Sequence, residues 1–400
     1  MRLVIVGAGP CGAALATTLA RADPARFAVT LVEATVQARR QFRGDALMPS
    51  GLEALERLGH LPLPPEVPRR VLGGWSIAVN GRPLFRLAEP LEGDASAACT
   101  LLSQSNWLET LLDPARQPEG LRFVVNRAAI GLLTQPDGRV AGVRLADGTE
   151  LQADLVVACD GRASAMRRQA GITLRRSEPP LEVLWFRFAA QAEPLPDANF
   201  TTLIGPAGLA SLFTGAHGAV QMGWCVAPGL ATPALLPKDW VAARLASQAP
   251  ASLAAWLERN AGHLEPPSRF SVQVGQAERW WQPGLLLLGD AAHPMSPVRA
   301  QGLNMALRDA AVTADALLGL PGPERLDAVL AGIEAARRPE VERLQALQAE
   351  ELGRGELLQG QPWLRHLLAG LAPLLGPWIG AYWRLQQRPL RHGLTALPPR

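Results

Sequence analysis

Residues 2–12 constrain this chain more than any other stretch. Arg2 leads into Leu-Val-Ile-Val, then Gly7-Ala8-Gly9-Pro10-Cys11-Gly12, then an alanine-rich run to about Ala22. A short, wholly apolar segment is what a parallel strand buried on both faces requires. The glycines follow where that strand must turn into a helix. Gly7 permits the tight turn, Gly9 lets backbone N–H groups approach a pyrophosphate, and Gly12 lets the helix pack on the strand. Asp23-Pro24 stops the helix, and residues 27–32 predict a second strand ending at Glu33. A carboxylate there can accept hydrogen bonds from ribose hydroxyls. The unit predicts a dinucleotide site in which the helix N-terminus meets the phosphates.

Further buried strands are predicted at 155–158, running into Cys159-Asp160-Gly161, and at 285–288, running into Gly289-Asp290. Asp147-Gly148 between two alternating runs predicts a hairpin. Residues 181–189, 199–204 and 218–226 read as strands of a second, mostly antiparallel sheet. Helices dominate from Leu303, and Pro339 predicts a kink or break within 324–352. The expected fold is α/β: a Rossmann-type parallel sheet split by an inserted, mostly antiparallel β-sheet domain, with a helical C-terminal tail. Residues 1–75, 97–178 and 270–320 form the nucleotide-binding part in this reading. Residues 76–96 and 179–269 form the inserted part, and 321–400 the tail.

Composition removes several classes. With 400 residues, 48% apolar and 19% charged, the chain has a core and is not disordered. A net charge of +3 is too mild for a nucleic-acid partner on charge alone. Lys238 is the one lysine, which leaves no P-loop and no well-placed Schiff-base lysine. Cys11, Cys99, Cys159 and Cys225 have no two-residue spacing, so neither a redox dithiol nor a metal site is expected. Scattered thiols fit a reducing, cytoplasmic setting. The N-terminal apolar run could pass for a secretory leader, but glycines at 7, 9 and 12 fit a phosphate-binding turn better. Residues 367–383 are uncharged yet interrupted by Pro373 and Pro377. They are too short for a span of ~20 residues, which predicts a helical lid or a surface resting on a membrane.

Three motifs occur in order: GAGPCG at 7–12, CDGRAS at 159–164, and GDAAHPMSP at 289–297 with QGLN at 301–304. As a set they resemble the single-component FAD-dependent aromatic hydroxylases, the p-hydroxybenzoate hydroxylase superfamily, over nearly the whole chain. The resemblance implies a GR2-like parallel sheet and non-covalent FAD, with NADH or NADPH as co-substrate. By the family pattern Gly7, Gly9, Pro10, Cys11 and Gly12 hold the pyrophosphate and Glu33 the adenosine ribose. Arg43 and Gln104 would lie near the FAD chain, and Asp160 would serve the FAD domain. Asp290 would hold the ribityl hydroxyls, while Pro297, Gly302, Leu303 and Asn304 line the flavin ring. The implied activity is hydroxylation or epoxidation of an aromatic, quinone or other lipophilic small molecule with O₂, through a flavin C4a-hydroperoxide. The alternatives are a related reductase or dehydrogenase, or a non-catalytic flavin-binding scaffold or redox sensor.

Substrate candidates are Trp185, Arg187, Trp224 and Arg299. Strand alternation puts Leu181, Val183, Trp185 and Arg187 on one face and Leu184, Phe186 and Phe188 on the other. It leaves open which face meets a substrate. Val298-Arg299-Ala300 stands where the family loop is often glycine-rich, so Arg299 would either orient an acidic substrate or turn to solvent. Tyr382 is the one tyrosine, and no residue is assigned as a general base.

Overall fold

A computed structural model, which describes residues 1–35, 46–94, 97–177, 181–226 and 236–397, arranges the chain around two large sheets. The first runs Trp281–Gln282, Leu285–Leu287, Leu155–Ala158, Arg2–Val6, Ala28–Glu33, Leu121–Val125. Every pairing is parallel except the edge pair Trp281–Gln282 with Leu285–Leu287. Strands far apart in sequence therefore lie side by side: Leu3 registers with both Val29 and Leu155, and Val156 with Leu285.

The all-apolar first strand is explained by its two buried faces. Leu3 and Ile5 pack under the helices Pro10–Ala22 and Gln301–Leu318 (the motif helix), while Val4 and Val6 join the opposite core. That opposite core holds the three-stranded sheet Ala129–Thr134, Val140–Leu145, Glu150–Gln152 and one side of the long helix Leu326–Gly360. Each such side chain contributes ~1.5–3 kcal/mol on leaving water. The predicted Asp147-Gly148 hairpin joins two of these strands, with Gly148 at φ +85°.

The second sheet has seven strands, ordered Ser268–Val272, Leu181–Arg187, Val220–Val226, Gly208–Thr214, Asn199–Gly205, Gly74–Val79, Arg82–Ala88. It is antiparallel except where Asn199–Gly205 meets Gly74–Val79. Its outer face, including Leu184, Phe186 and Trp224, packs on the helices Lys238–Ala246 and Ala251–Arg259. The inner face looks toward the first sheet.

The long helix Leu326–Gly360 runs unbroken through Pro339, contrary to the predicted interruption. Arg337, Glu340 and Val341 beside the proline are all buried. That packing offsets the one backbone hydrogen bond a mid-helix proline forgoes. The helix Pro362–His392 (the outer helix) likewise contains Pro373, Pro377 and Pro389. It lies across the edge strand Arg82–Ala88, where small residues permit close approach. A Cβ at Gly376 would sit 2.1 Å from the Leu84 carbonyl oxygen. No helix among the described residues is long and apolar enough to cross a membrane.

Candidate active site

Between the two sheets lies a cavity of about 590 Å³. One end is built from turns and helix starts. Gly9, Pro10 and Cys11 line it at the head of the first helix, with Asp290 opposite and Pro297, Gly302 and Leu303 at the start of the motif helix. At Gly7 and Gly12 the glycine turn leaves no room for a side chain. Gly7 has φ +100°, and a Cβ at Gly12 would lie 2.0 Å from the Gly7 carbonyl oxygen. At Gly9 a Cβ would meet nothing within 4 Å, so that position opens onto space. Both helix starts lack a side-chain cap and an acid in the first turn. Two partly positive, uncapped N-termini thus face one cavity.

Glu33 ends its strand beside the turn, its Oε2 accepting from the Ala8 N–H at 2.8 Å. Gln104, the first residue of the helix Gln104–Leu111, lines the cavity. Asp160 caps the next helix: its Oδ2 accepts from the Met166 N–H at 3.0 Å, while its Oδ1 is buried and accepts from no described group. Asp290 pairs with Arg162 at 3.2 Å. Asn304 does not line the cavity. Its Oδ1 accepts from the Met48 N–H and its Nδ2 donates to the Ala46 and Ala300 carbonyls, which ties residues 46–48 to the motif helix. Arg43 lies outside the described residues.

Beneath this end is a buried ion network with no counterpart in the sequence reading. His293 Nε2 lies 2.6 Å from Asp309 Oδ2, which also accepts from the Gly289 N–H, and Arg337 Nε donates to Asp309 Oδ1 at 2.8 Å. Glu340 and Arg308 continue it, and Arg308 reaches Glu53 at 2.7 Å. Burial works against ionising Asp309, but the facing His293 and Arg337 outweigh it and hold the carboxyl at about 2. The network anchors the turn that presents Asp290. His293 is enclosed in it, 1% exposed and against the Trp280 ring.

The other end of the cavity is an aromatic and aliphatic wall. Leu181, Val183 and Trp185 point into it, as do Phe200 and Phe213. Strand register explains Trp185: it faces Gly223, where a Cβ would lie 2.9 Å from the Trp185 ring. Of the remaining substrate candidates, Trp224 and Arg187 are not brought to the cavity. Trp224 is opposite Leu184 and shares its outward face, its indole N–H donating to the Ala207 carbonyl. Arg187 is exposed at the strand end.

Arg299 does reach the cavity, in a left-handed turn at φ 57°. It neither turns to solvent nor offers an unbalanced charge. Its Nε donates to Glu351 at 2.7 Å, and its guanidinium stacks on Trp75 and Trp383 at 5.1 and 4.6 Å. Burial opposes the Glu351 charge, yet Arg299 brings that carboxyl below its ordinary value. Glu351, Trp75 and Trp383 carry no local sequence signal of this role. Nor do Cys11 and Cys159, 148 residues apart, whose Sγ atoms lie 3.7 Å apart at the cradle. Their contact and burial push the Cys11 thiol well up, which keeps it protonated.

The family described as FAD binding domain matches residues 1–347. The chain belongs to it. Its relatives include 6-methylpretetramide 4-monooxygenase of Streptomyces rimosus, 33% identical over 86% of this chain and 82% of that protein. Another is 3-amino-4-hydroxybenzoate 2-monooxygenase PtmB3 of Streptomyces platensis, 30% identical over 80% of this chain and 81% of that one. Among solved structures, p-nitrophenol 4-monooxygenase PnpA of Pseudomonas putida superposes with a TM-score of 0.79 at 19% identity, covering 98% of both chains. The flavoprotein is an FAD-dependent monooxygenase, and its relatives support that reading over a reductase or a scaffold. The cradle fits FAD on its own terms: an open glycine position, two uncapped helix starts and the Asp290 carboxylate converge on one cavity.

Proposed function

We propose that the glycine-turn end of the cavity holds FAD and that the aromatic wall holds an uncharged or weakly charged aromatic or lipophilic substrate. Gly7, Gly9, Pro10, Cys11 and Gly12 would take the pyrophosphate, and Glu33 and Gln104 the adenosine side. Asp290 would take the ribityl hydroxyls, and the amides at Gly302 and Leu303 the ring. Bound there, FAD supplies the redox chemistry, taking hydride from NADH or NADPH and activating O₂. The chain's own work is to orient the substrate and exclude water. Leu181, Val183, Phe200 and Phe213 suit both tasks, and Trp185 offers a stacking face.

One observation carries the substrate class. Three arginines line the cavity: Arg299 is already neutralised by Glu351 and enclosed by two indoles, Arg162 pairs with Asp290, and Arg354 is exposed beside Glu350. A carboxylate would have to compete with Glu351 for Arg299. The relatives' names, one an aminohydroxybenzoate oxygenase, support an electron-rich ring as the acceptor, and that relative's benzoate carries the carboxylate that the Arg299–Glu351 pair is expected to disfavour here. The strand groupings support the division into two sheet domains and a tail, with the inserted part taking in all of Gly74–Val79 and Ser268–Val272. The mild net charge supports a reaction without nucleic acid, and consumption of NAD(P)H supports a cytoplasmic setting. Contact of 367–383 with a lipid surface is part of the same reading.

The test is turnover of the FAD-loaded protein with NADH or NADPH under ¹⁸O₂, against neutral phenols, quinones and their carboxylated analogues. The expected product is a neutral ring carrying ¹⁸O, with nucleotide oxidation accelerated by that compound. Preference for the carboxylated analogues would overturn the substrate class. Accelerated oxidation without ¹⁸O in any product would overturn oxygen transfer.

A further inference from the structure

The outer helix Pro362–His392 buries one face and leaves the other bare. Gly376 and Gly380 lie against Leu84 and Phe85, and Trp383 closes the inner side. Away from them, Trp363, Leu367, Leu371, Leu374, Trp378 and Leu385 recur every three, four or seven residues, the spacing of one helix face. They are exposed: Trp363 at 66%, Leu374 at 72%, Trp378 at 78% and Leu385 at 69%. Eight of the fourteen large apolar side chains exposed among the described residues lie on this helix. A contiguous apolar stripe of that kind marks an interaction surface.

Charge says what covers it. No Asp or Glu occurs from residue 357 to 400. His366, Arg384 and Arg388 are exposed and fall along one flank of the stripe at about 100° per residue. A second copy packed face to face would bring the same cations together without a compensating acid from either helix. Anionic headgroups would neutralise them while the acyl region takes the tryptophans and leucines, the pattern of helices that lie in a membrane interface.

The opposite flank leads to the cavity. Leu368, Ile379 and Trp383 line it, and Tyr382 both lines it and is 55% exposed. The apolar stripe is therefore continuous with the substrate wall. We propose that the outer helix docks the enzyme on an anionic bilayer surface, lying in its plane, so that the cavity opens beside the lipid. The docking stands on the helix alone. Delivery of a lipophilic substrate through that opening rests on the function proposed above.

The experiment is flotation of the FAD-loaded full chain with vesicles of phosphatidylcholine containing phosphatidylglycerol, and with phosphatidylcholine alone, alongside sedimentation without vesicles. The protein is expected to float with the anionic vesicles and to release as salt rises. Trp378→Glu should abolish flotation, and Arg384→Gln and Arg388→Gln should each weaken it about fivefold. All three variants should retain FAD, since none lines the cavity. Failure of the wild-type chain to float with anionic vesicles would overturn the proposal. So would a concentration-dependent dimer that Trp378→Glu dissociates, which would assign the stripe to a second copy. Neither failure bears on turnover, so the proposed activity is judged separately.

Discussion

The two ends of the cavity are built by opposite means. The cradle is backbone: glycines, helix starts and strand ends, drawn from short runs at 7–12, 159–164 and 289–304. The wall is side chains, brought together by the pairing of strands and by two long helices. Where the cradle's backbone segments touch, at Gly7 and Gly12, there is no spare volume, so one added carbon is a collision. A wall of side chains tolerates changes that conserve volume. The cradle also rests on buried charge, through Asp309 and Arg337, whereas the wall's ion pair, Arg299 with Glu351, stands in the wall itself.

The sharpest way to break that comparison is Asp309→Asn. It would leave Arg337 and its neighbours short of a buried anion, and the expected loss is ~3–5 kcal/mol of stability. Urea unfolding should show it together with weakened FAD binding, and an unchanged midpoint would mean the cradle does not depend on the network. Gly12→Ala comes next. Its Cβ would lie 2.0 Å from a carbonyl oxygen, so ~1–3 kcal/mol of strain is expected, with loss of bound FAD measured by flavin absorbance.

His60 adds a pH dependence on the cradle side. It is buried between Thr17 and Thr18 of the first helix and the Trp107 ring. Burial lowers its pKa from 6.5 to about 4. The unfolded chain therefore takes up a proton that the folded chain refuses. The neutral-His60 stabilisation is complete above about 6.5 and is lost as pH falls toward 4. About 2 kcal/mol should be gone at pH 5, and His60→Leu should flatten that slope in unfolding curves taken from pH 7 to 5. The smallest effect is expected at the wall. Glu351→Gln should release the Arg299 charge and raise affinity for carboxylated aromatics severalfold while FAD affinity stays put, as read by paired titrations.

What was legible in the sequence follows the same division. Gly7 to Gly12, Glu33 and Asp290 could be read because a strand, a turn and a helix start are local patterns with a local reason. The alternation within Leu181–Arg187 was legible too, but period two states which residues share a face and not what that face meets. Register decides it: Trp185 falls opposite Gly223 and turns inward, while Trp224 falls opposite Leu184 and turns outward. Arg299 with Glu351, and His293 with Asp309 and Arg337, join residues from separate elements, and nothing in either segment announces its partner. Pro339 misled for the opposite reason, since a local rule was overridden by tertiary burial.

The claim that one cavity has two separately tunable ends is tested most directly by titrating FAD into apoprotein of two variants, Asp290→Ala and Trp185→Ala, by flavin fluorescence. Loss of charge-assisted hydrogen bonds at Asp290 is worth ~1.5–3 kcal/mol, so its affinity should fall roughly ten- to hundredfold. Trp185→Ala should leave FAD affinity near that of the unaltered protein and weaken only stimulation by the aromatic substrate. Equal losses of FAD affinity in the two variants would contradict the account.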